Sequence, residues 1–280
     1  MSQHFIFTSR ANQPGHSWYY SARFLPREQR HLLMALVDWC DTVRQQISNC
    51  QDPNVAHAQL SWWNTEIEKL NAKQAQHPAT RQLLAACQNT ELPFNLLQEY
   101  LLSVAMDIDL HRYQTRRELD LYCERRGGYL SVLYTHVVGY EHPHTLDVAK
   151  NLGQHIQYLY LLRHLARDIA RNYLYLPLDE LDKNHISATE LLRKESSPEF
   201  EQWFYQQVQQ HQSAIDTLIN SLSPKDRWAQ RGQIILSTLY SRSLELAKTH
   251  KINPLHETLH LTPLQKLWTA WRGYRGLRFR

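Results

Sequence analysis

Residues 26–48 read PREQRHLLMALVDWCDTVRQQIS, and their apolar members Leu32, Leu36, Cys40, Val43 and Ile47 step by four, four, three and four residues. That spacing is one face of an α-helix, opened by Pro26 and Glu28. The same period recurs outward along the chain. Helices are expected at about Asn54 to Asn71, Thr80 to Asn89, and from Pro93 to about Leu110. Another is expected from Arg117 to Gly139, softened by Gly127 and Gly128. A long helix from about Leu146 to Tyr173 is closed by Leu176-Pro177. An amphipathic stretch to Leu222, a helix from Gln230 to Lys248 and a last one after Pro263 complete the pattern. No strand-like alternation of any length appears.

Composition agrees. With 8 glycines and 11 prolines in 280 residues the chain is poor in turn formers, which disfavours a sandwich or barrel of many short strands. Its 42% hydrophobic and 21% charged residues suit a folded globular protein. No fixed-period repeat or Gly/Ser/Pro-rich linker divides it, so a single all-α domain over 1–280 is expected. A net charge of +4 is too small for bulk nucleic-acid binding. Cys40, Cys50, Cys87 and Cys123 are dispersed and fit reduced thiols of a cytoplasmic protein. The opening MSQHFIFTSR lacks a basic region followed by a long apolar one, so no secretory leader is expected, and no apolar run is long enough to span a membrane.

Charge is uneven at one place. Residues 263–280 carry Lys266, Arg272, Arg275, Arg278 and Arg280 without an acid, interleaved with Trp268, Trp271, Tyr274 and Phe279. The plainer expectation is a last helix with its aromatics packed on the core and a solvated tail. The other is peripheral contact with an anionic membrane surface on the cytoplasmic side.

Several stretches, in order from about residue 17 to 272, carry a family resemblance: Ser17–Arg30 (SWYYSARFLPREQR), Ala58–Trp63 with Glu66, Met106–Asp109, Tyr122-Cys123, Leu161–Arg163, Tyr175–Pro177 and Pro263–Arg272. The chain resembles squalene and phytoene synthases, the head-to-head prenyl synthases, and its tail is similar to bacterial members of hopanoid pathways. The resemblance implies an all-α isoprenoid-synthase bundle around a deep central cavity, with Tyr20, Tyr122, Arg126, Gln157 and Tyr160 expected to line it.

Active members hold prenyl diphosphates through Mg²⁺ bound by two aspartate-rich motifs. Mg²⁺ demands oxygen ligands, and carboxylates four residues apart on a helix share one face. Where the family reads Cys-Arg-x-x-Asp-Asp-x-x-Asp, this chain has Cys40-Asp-Thr-Val-Arg44-Gln45-Gln-Ile-Ser48. Where the second motif reads Asn-Ile-Leu-Arg-Asp-x-x-Glu-Asp, it has Tyr160-Leu-Leu-Arg163-His164-Leu-Ala-Arg167-Asp168. Of the outer carboxylates only Asp168 remains. Each added cation opposes a divalent ion by on the order of a few kcal/mol at an effective dielectric near 20, so the usual Mg²⁺ cluster is not expected to form and no cofactor is expected. Two uses of such a cavity are open. Arg44, Arg163 and Arg167 can hold the phosphate of an isoprenoid or lipid directly. Alternatively they close on Asp41, Asp168 or other acids and leave a scaffold for a protein partner, as in non-catalytic relatives that act in assembly of respiratory complexes. The competing expectation is an active prenyltransferase using Asp38, Asp41 and Asp168 as displaced Mg²⁺ ligands.

Two further stretches bear on the choice. Where the family has Tyr-Cys-x-x-Val-Ala-Gly along the tunnel for the second chain, this sequence has Tyr122-Cys-Glu-Arg-Arg126-Gly-Gly128. Arg126 either points inward, where an unpaired charge is costly and a long apolar substrate fits poorly, or snorkels outward. His256-Glu-Thr-Leu-His260 matches HExxH, but Pro254 and Pro263 confine it to a segment too short for the helix that a zinc site of this type needs.

Overall fold

The computed structural model describes residues 13–87 and 90–278. The opening twelve residues, Gln88, Asn89, Phe279 and Arg280, on which parts of the sequence reading fell, lie outside them. In chain order the helices are α1 (Ser17–Ala22), α2 (Arg27–Ser48), α3 (Pro53–Asn71), α4 (Pro78–Ala86), α5 (Leu96–Asp109), α6 (Arg116–Cys123), a π-helical turn (Glu124–Gly128), α7 (Tyr129–Val138), α8 (His144–Arg163) and α9 (Leu165–Ala170). After these come α10 (Leu178–Lys183), α11 (Ala188–Leu192), α12 (Pro198–Ser221), α13 (Pro224–Ala229), α14 (Arg231–Thr249) and α15 (Pro263–Arg278). Short parallel strands β1 (Arg112–Tyr113) and β2 (Leu174–Pro177) are the exception to the all-α pattern.

The sequence starts these helices explicitly. Asp52 accepts from the Asn54 amide with Pro53 in the first turn, Thr115 and Glu118 form a capping box on α6, and Ser197 caps α12 ahead of Pro198. Glu66 is buried in α3, and its Oε1 accepts from the backbone amides of Gln76 and His77 at 2.7 and 2.6 Å. That carboxylate holds the α3–α4 turn, away from the cavity.

Apolar faces assemble into two large clusters. One joins α2, α3, α4, α5 and α7 around Trp39, Trp63, Leu36 and Ile67; the other joins α8, α12 and α14 around Leu159, Phe200, Phe204 and Ile235. Helix α8 is the hub, touching the π-turn, α7, α12 and α14. Its approach to the π-turn is backbone to backbone: a Cβ on Gly127 would collide with the Gly153 carbonyl, and one on Gly153 with the Gly127 carbonyl. Two glycines facing each other permit this contact, and any residue with a Cβ at either place would push the helices apart.

Three expectations change. The helix expected from 146 to 173 breaks at His164, whose ψ of 11° leaves the helical range. The Arg163 carbonyl accepts from the Leu259 amide at 3.0 Å instead of continuing the helix. Tyr20, expected at the cavity wall, lies in the second core cluster with Leu152 and Ile156. On α15, Tyr274 stacks on Phe24 at 4.5 Å, but Trp268 and Trp271 stay exposed because they share the face opposite Lys266 and Ala270, which are buried. No described helix is long and apolar enough to cross a membrane. The HExxH stretch is an irregular segment, not a helix.

Candidate functional site

Between the two clusters lies a cavity of about 230 Å³, far above the roughly 10–15 Å³ that admits one water. Its walls come from α2, α5, the π-turn, α8, α9, β2 and α14. The first motif places Arg44, Asp41 and Ser48 on it, and the second places Tyr160, Arg167 and Asp168, with Gln157, Tyr122 and Arg126 alongside.

On the α2 side, Arg44 Nη2 donates to Asp41 Oδ1 at 3.1 Å. Gln45 points to solvent, and Asp38, one turn before Asp41, is not on the cavity wall. On the α9 side, Arg167 places Nε 2.8 Å and Nη2 2.7 Å from Asp168 Oδ1 and donates Nη1 to the Tyr160 hydroxyl at 3.1 Å. The break at His164 turns this pair toward the cavity. Burial pushes the Asp168 carboxyl up, with Arg167 pulling the other way. Burial, helped by Arg163 and Arg167, holds His164 well below the usual imidazole value, so it is neutral. Its Nδ1 lies 2.7 Å from the Tyr160 carbonyl, and it is not on the cavity wall. Arg163 is also elsewhere: Nε donates to the Leu259 carbonyl at 2.9 Å and the guanidinium lies 4.6 Å from the centre of the Tyr240 ring. It pins the 255–262 loop and is not a cavity-wall phosphate ligand, as had been expected.

The floor settles the orientation of Arg126. It points inward and is 9% exposed. Its Nη2 donates to Asp107 Oδ2 at 3.0 Å and Nη1 to Ser103 Oγ at 3.2 Å, and its plane sits 4.8 Å from the Tyr100 ring centre. Asp107 gathers more: the Tyr175 hydroxyl donates to Oδ1 at 2.7 Å and the Tyr173 hydroxyl to the backbone carbonyl at 2.9 Å. The rings of Tyr113, Tyr122, Tyr173 and Tyr175 pack on one another at 5.2 to 5.8 Å. The sequence reading missed this hub. Asp107, Tyr122 and Tyr175 lay in separate quoted stretches, and the two hydroxyls that reach Asp107 come from Tyr173 and Tyr175, 66 and 68 residues away.

The donor set does not fit the usual two-motif Mg²⁺ cluster. Asp41 and Asp168 are each engaged by an arginine, and no three His, Cys, Asp or Glu side chains gather at ligating distance among the described residues. The cavity wall counts four arginines (44, 126, 167, 171) against three aspartates (41, 107, 168), and burial keeps His16 below the ordinary imidazole value. Its net charge is therefore positive, the sign that receives an anion.

The family profile of squalene/phytoene synthase matches residues 11–265. A 15-cis-phytoene synthase of Synechocystis is 26% identical over 188 residues, 63% of this chain and 56% of the relative, so the chain spans little more than half of that protein. A presqualene diphosphate synthase of Sinorhizobium fredii is 24% identical over 266 residues, 92% of each chain. A crystal structure of a dehydrosqualene synthase in complex with ligand superposes with a TM-score of 0.80 at 15% identity, covering 94% of this chain and 92% of the other. The helical bundle, the central cavity and the profile match together place this chain in the squalene/phytoene synthase family.

Proposed function

We propose that this protein binds the phosphate or diphosphate head of an isoprenoid or similar lipid in its central cavity through guanidinium groups, without the Mg²⁺-dependent condensation of two prenyl diphosphates. The supporting observation is that Arg44 and Arg167, standing at carboxylate positions of the two motifs, both line the cavity and each carry a paired aspartate. A guanidinium has five N–H donors in a fork that matches phosphate oxygens, so pairing with one carboxylate does not exhaust it. The inward Arg126 argues for one ligand, since a charged floor suits no second long apolar chain. Relatives named for phytoene and presqualene diphosphate make an isoprenoid the natural class of ligand. We place the protein in the cytoplasm, at the inner face of a membrane, where such lipids reside.

A second reading, prenyl transfer with displaced ligands, draws on one atom: Asp168 Oδ2 is buried with no hydrogen-bond partner, a free oxygen for a cation. Titration of farnesyl diphosphate by calorimetry with and without Mg²⁺, beside an assay of diphosphate release, separates the readings. Binding without Mg²⁺ and without turnover, weakened about tenfold by Arg44→Ala or Arg167→Ala, is expected; one charge-assisted contact supplies roughly that. Mg²⁺-dependent release would overturn the proposal in favour of prenyl transfer. Neither binding nor release would leave the protein-partner scaffold.

A further inference from the structure

Helix α15 presents an exposed apolar face among the described residues. Leu264 is 80% exposed, Leu267 41%, Trp268 58% and Trp271 38%. At 100° per residue these four fall within a stripe about 100° wide. Arg275 and Arg278 continue the same stripe toward the C-terminus and Arg272 flanks it, so the face is apolar in its first half and cationic in its second. Trp268 and Trp271 stack at 5.0 Å, and the Arg275 guanidinium lies 5.0 Å from the Trp271 ring centre. The opposite face is fixed to the protein: Ala270 is fully buried, Tyr274 lies between Phe24 and Trp228, and the Lys266 ammonium donates to the Gly15 carbonyl. The helix is therefore held rigidly with its aromatic stripe outward.

We propose that α15 docks this protein on an anionic bilayer surface, with Leu264, Leu267, Trp268 and Trp271 entering the headgroup and acyl boundary and Arg272, Arg275 and Arg278 meeting lipid phosphates. Charge complementarity selects a bilayer over a second copy of the chain. No acidic residue follows Glu257, so two copies of this face would oppose cation to cation. Exposed indoles beside arginines are the side chains that suit the headgroup layer, and an amphipathic helix of this kind lies in the interface plane. The same helix holds Gly15, whose neighbour His16 is on the cavity wall, so docking would bring that side of the cavity to the membrane. The docking itself does not depend on what the cavity binds.

Flotation of the full chain with phosphatidylcholine vesicles, and with vesicles carrying 30% phosphatidylglycerol, tests this. Binding to the anionic vesicles is expected, falling roughly fivefold for each arginine in Arg272→Gln and Arg275→Gln, and lost in Trp268→Ser with Trp271→Ser. Because these side chains are solvent-exposed, the variants should keep the parent melting curve, and Leu264→Ser, the most exposed position, serves as a second variant if they do not. No flotation, or flotation unchanged by every variant, would overturn the proposal. Concentration-dependent self-association that the tryptophan variants abolish, without flotation, would assign the face to a second copy instead.

Discussion

The cavity holds two kinds of arginine–aspartate pair, and their surroundings separate them. At the rim, Arg44 and Asp41 have side chains 37% and 24% exposed and lie three residues apart on one helix. At the floor, Arg126 and Asp107 are 10% and 20% exposed, come from different helices, and are tied into tyrosine hydroxyls and rings. A rim pair in high dielectric is worth little and exchanges its partner easily. A floor pair has given up its water, so each charge depends on the other. The rim is thus the place for a ligand and the floor a fixed boundary. The sharpest way to break this contrast is Asp107→Ala, which strands Arg126. A loss of about 3 kcal/mol in urea unfolding is expected. Replacing both, Asp107→Leu with Arg126→Met, should recover most of it, because an apolar pair of similar volume needs no charge partner. A single replacement costing no more than a rim variant would erase the distinction.

The floor is also held by backbone. Gly153→Ala puts a methyl group against the Gly127 carbonyl and Ser131 Cβ, atoms that cannot swing aside. The π-turn must then shift, and Arg126 sits in it. We expect a cost of about 1–3 kcal/mol in chemical denaturation, with loss of ligand binding beyond that caused by lowered stability. Unchanged unfolding would mean that the helices separate without consequence for the cavity.

This division also decides what the sequence made legible. The long helices were readable because each carries its own apolar period, and the replacement at Arg44 was readable because Cys40 fixes its register by counting along a continuous helix. Arg163 was misplaced for the converse reason. It is the last residue of α8, and its guanidinium is held by the Leu259 carbonyl, 96 residues on, and by the Tyr240 ring, contacts that no local count reveals. The Asp107 hub stayed hidden because its members meet only in three dimensions. For Trp268 and Trp271 the sequence left core packing and a membrane surface both open, because hydrophobicity alone does not say which face of the last helix the protein buries; Lys266 and Ala270 take the buried face.

At the rim, Arg44→Ala should leave stability within about 1 kcal/mol of the parent, since Asp41 keeps access to water. A thermal melt checks this beside the loss of isoprenoid diphosphate affinity. A large destabilisation would show that the rim pair is structural and that the floor is not special.

The smallest effect is expected at the pair that lies between these extremes. Arg167 is 31% exposed and Asp168 8%. Burial outweighs the arginine and holds the Asp168 carboxyl above its ordinary value. The folded state therefore binds this proton more tightly than the unfolded chain does. Its contribution to stability is greatest below the ordinary carboxylate value and declines as pH rises through the raised one. Asp168→Asn cannot titrate, so the difference in unfolding free energy between variant and parent should change with pH across that window and be flat above it. The variant also removes a negative charge beside Arg167, and its affinity for inorganic diphosphate at neutral pH should rise roughly two- to fivefold. An affinity that falls would mean that Asp168 positions Arg167 rather than competing with the ligand for it, and would make this pair behave like the floor.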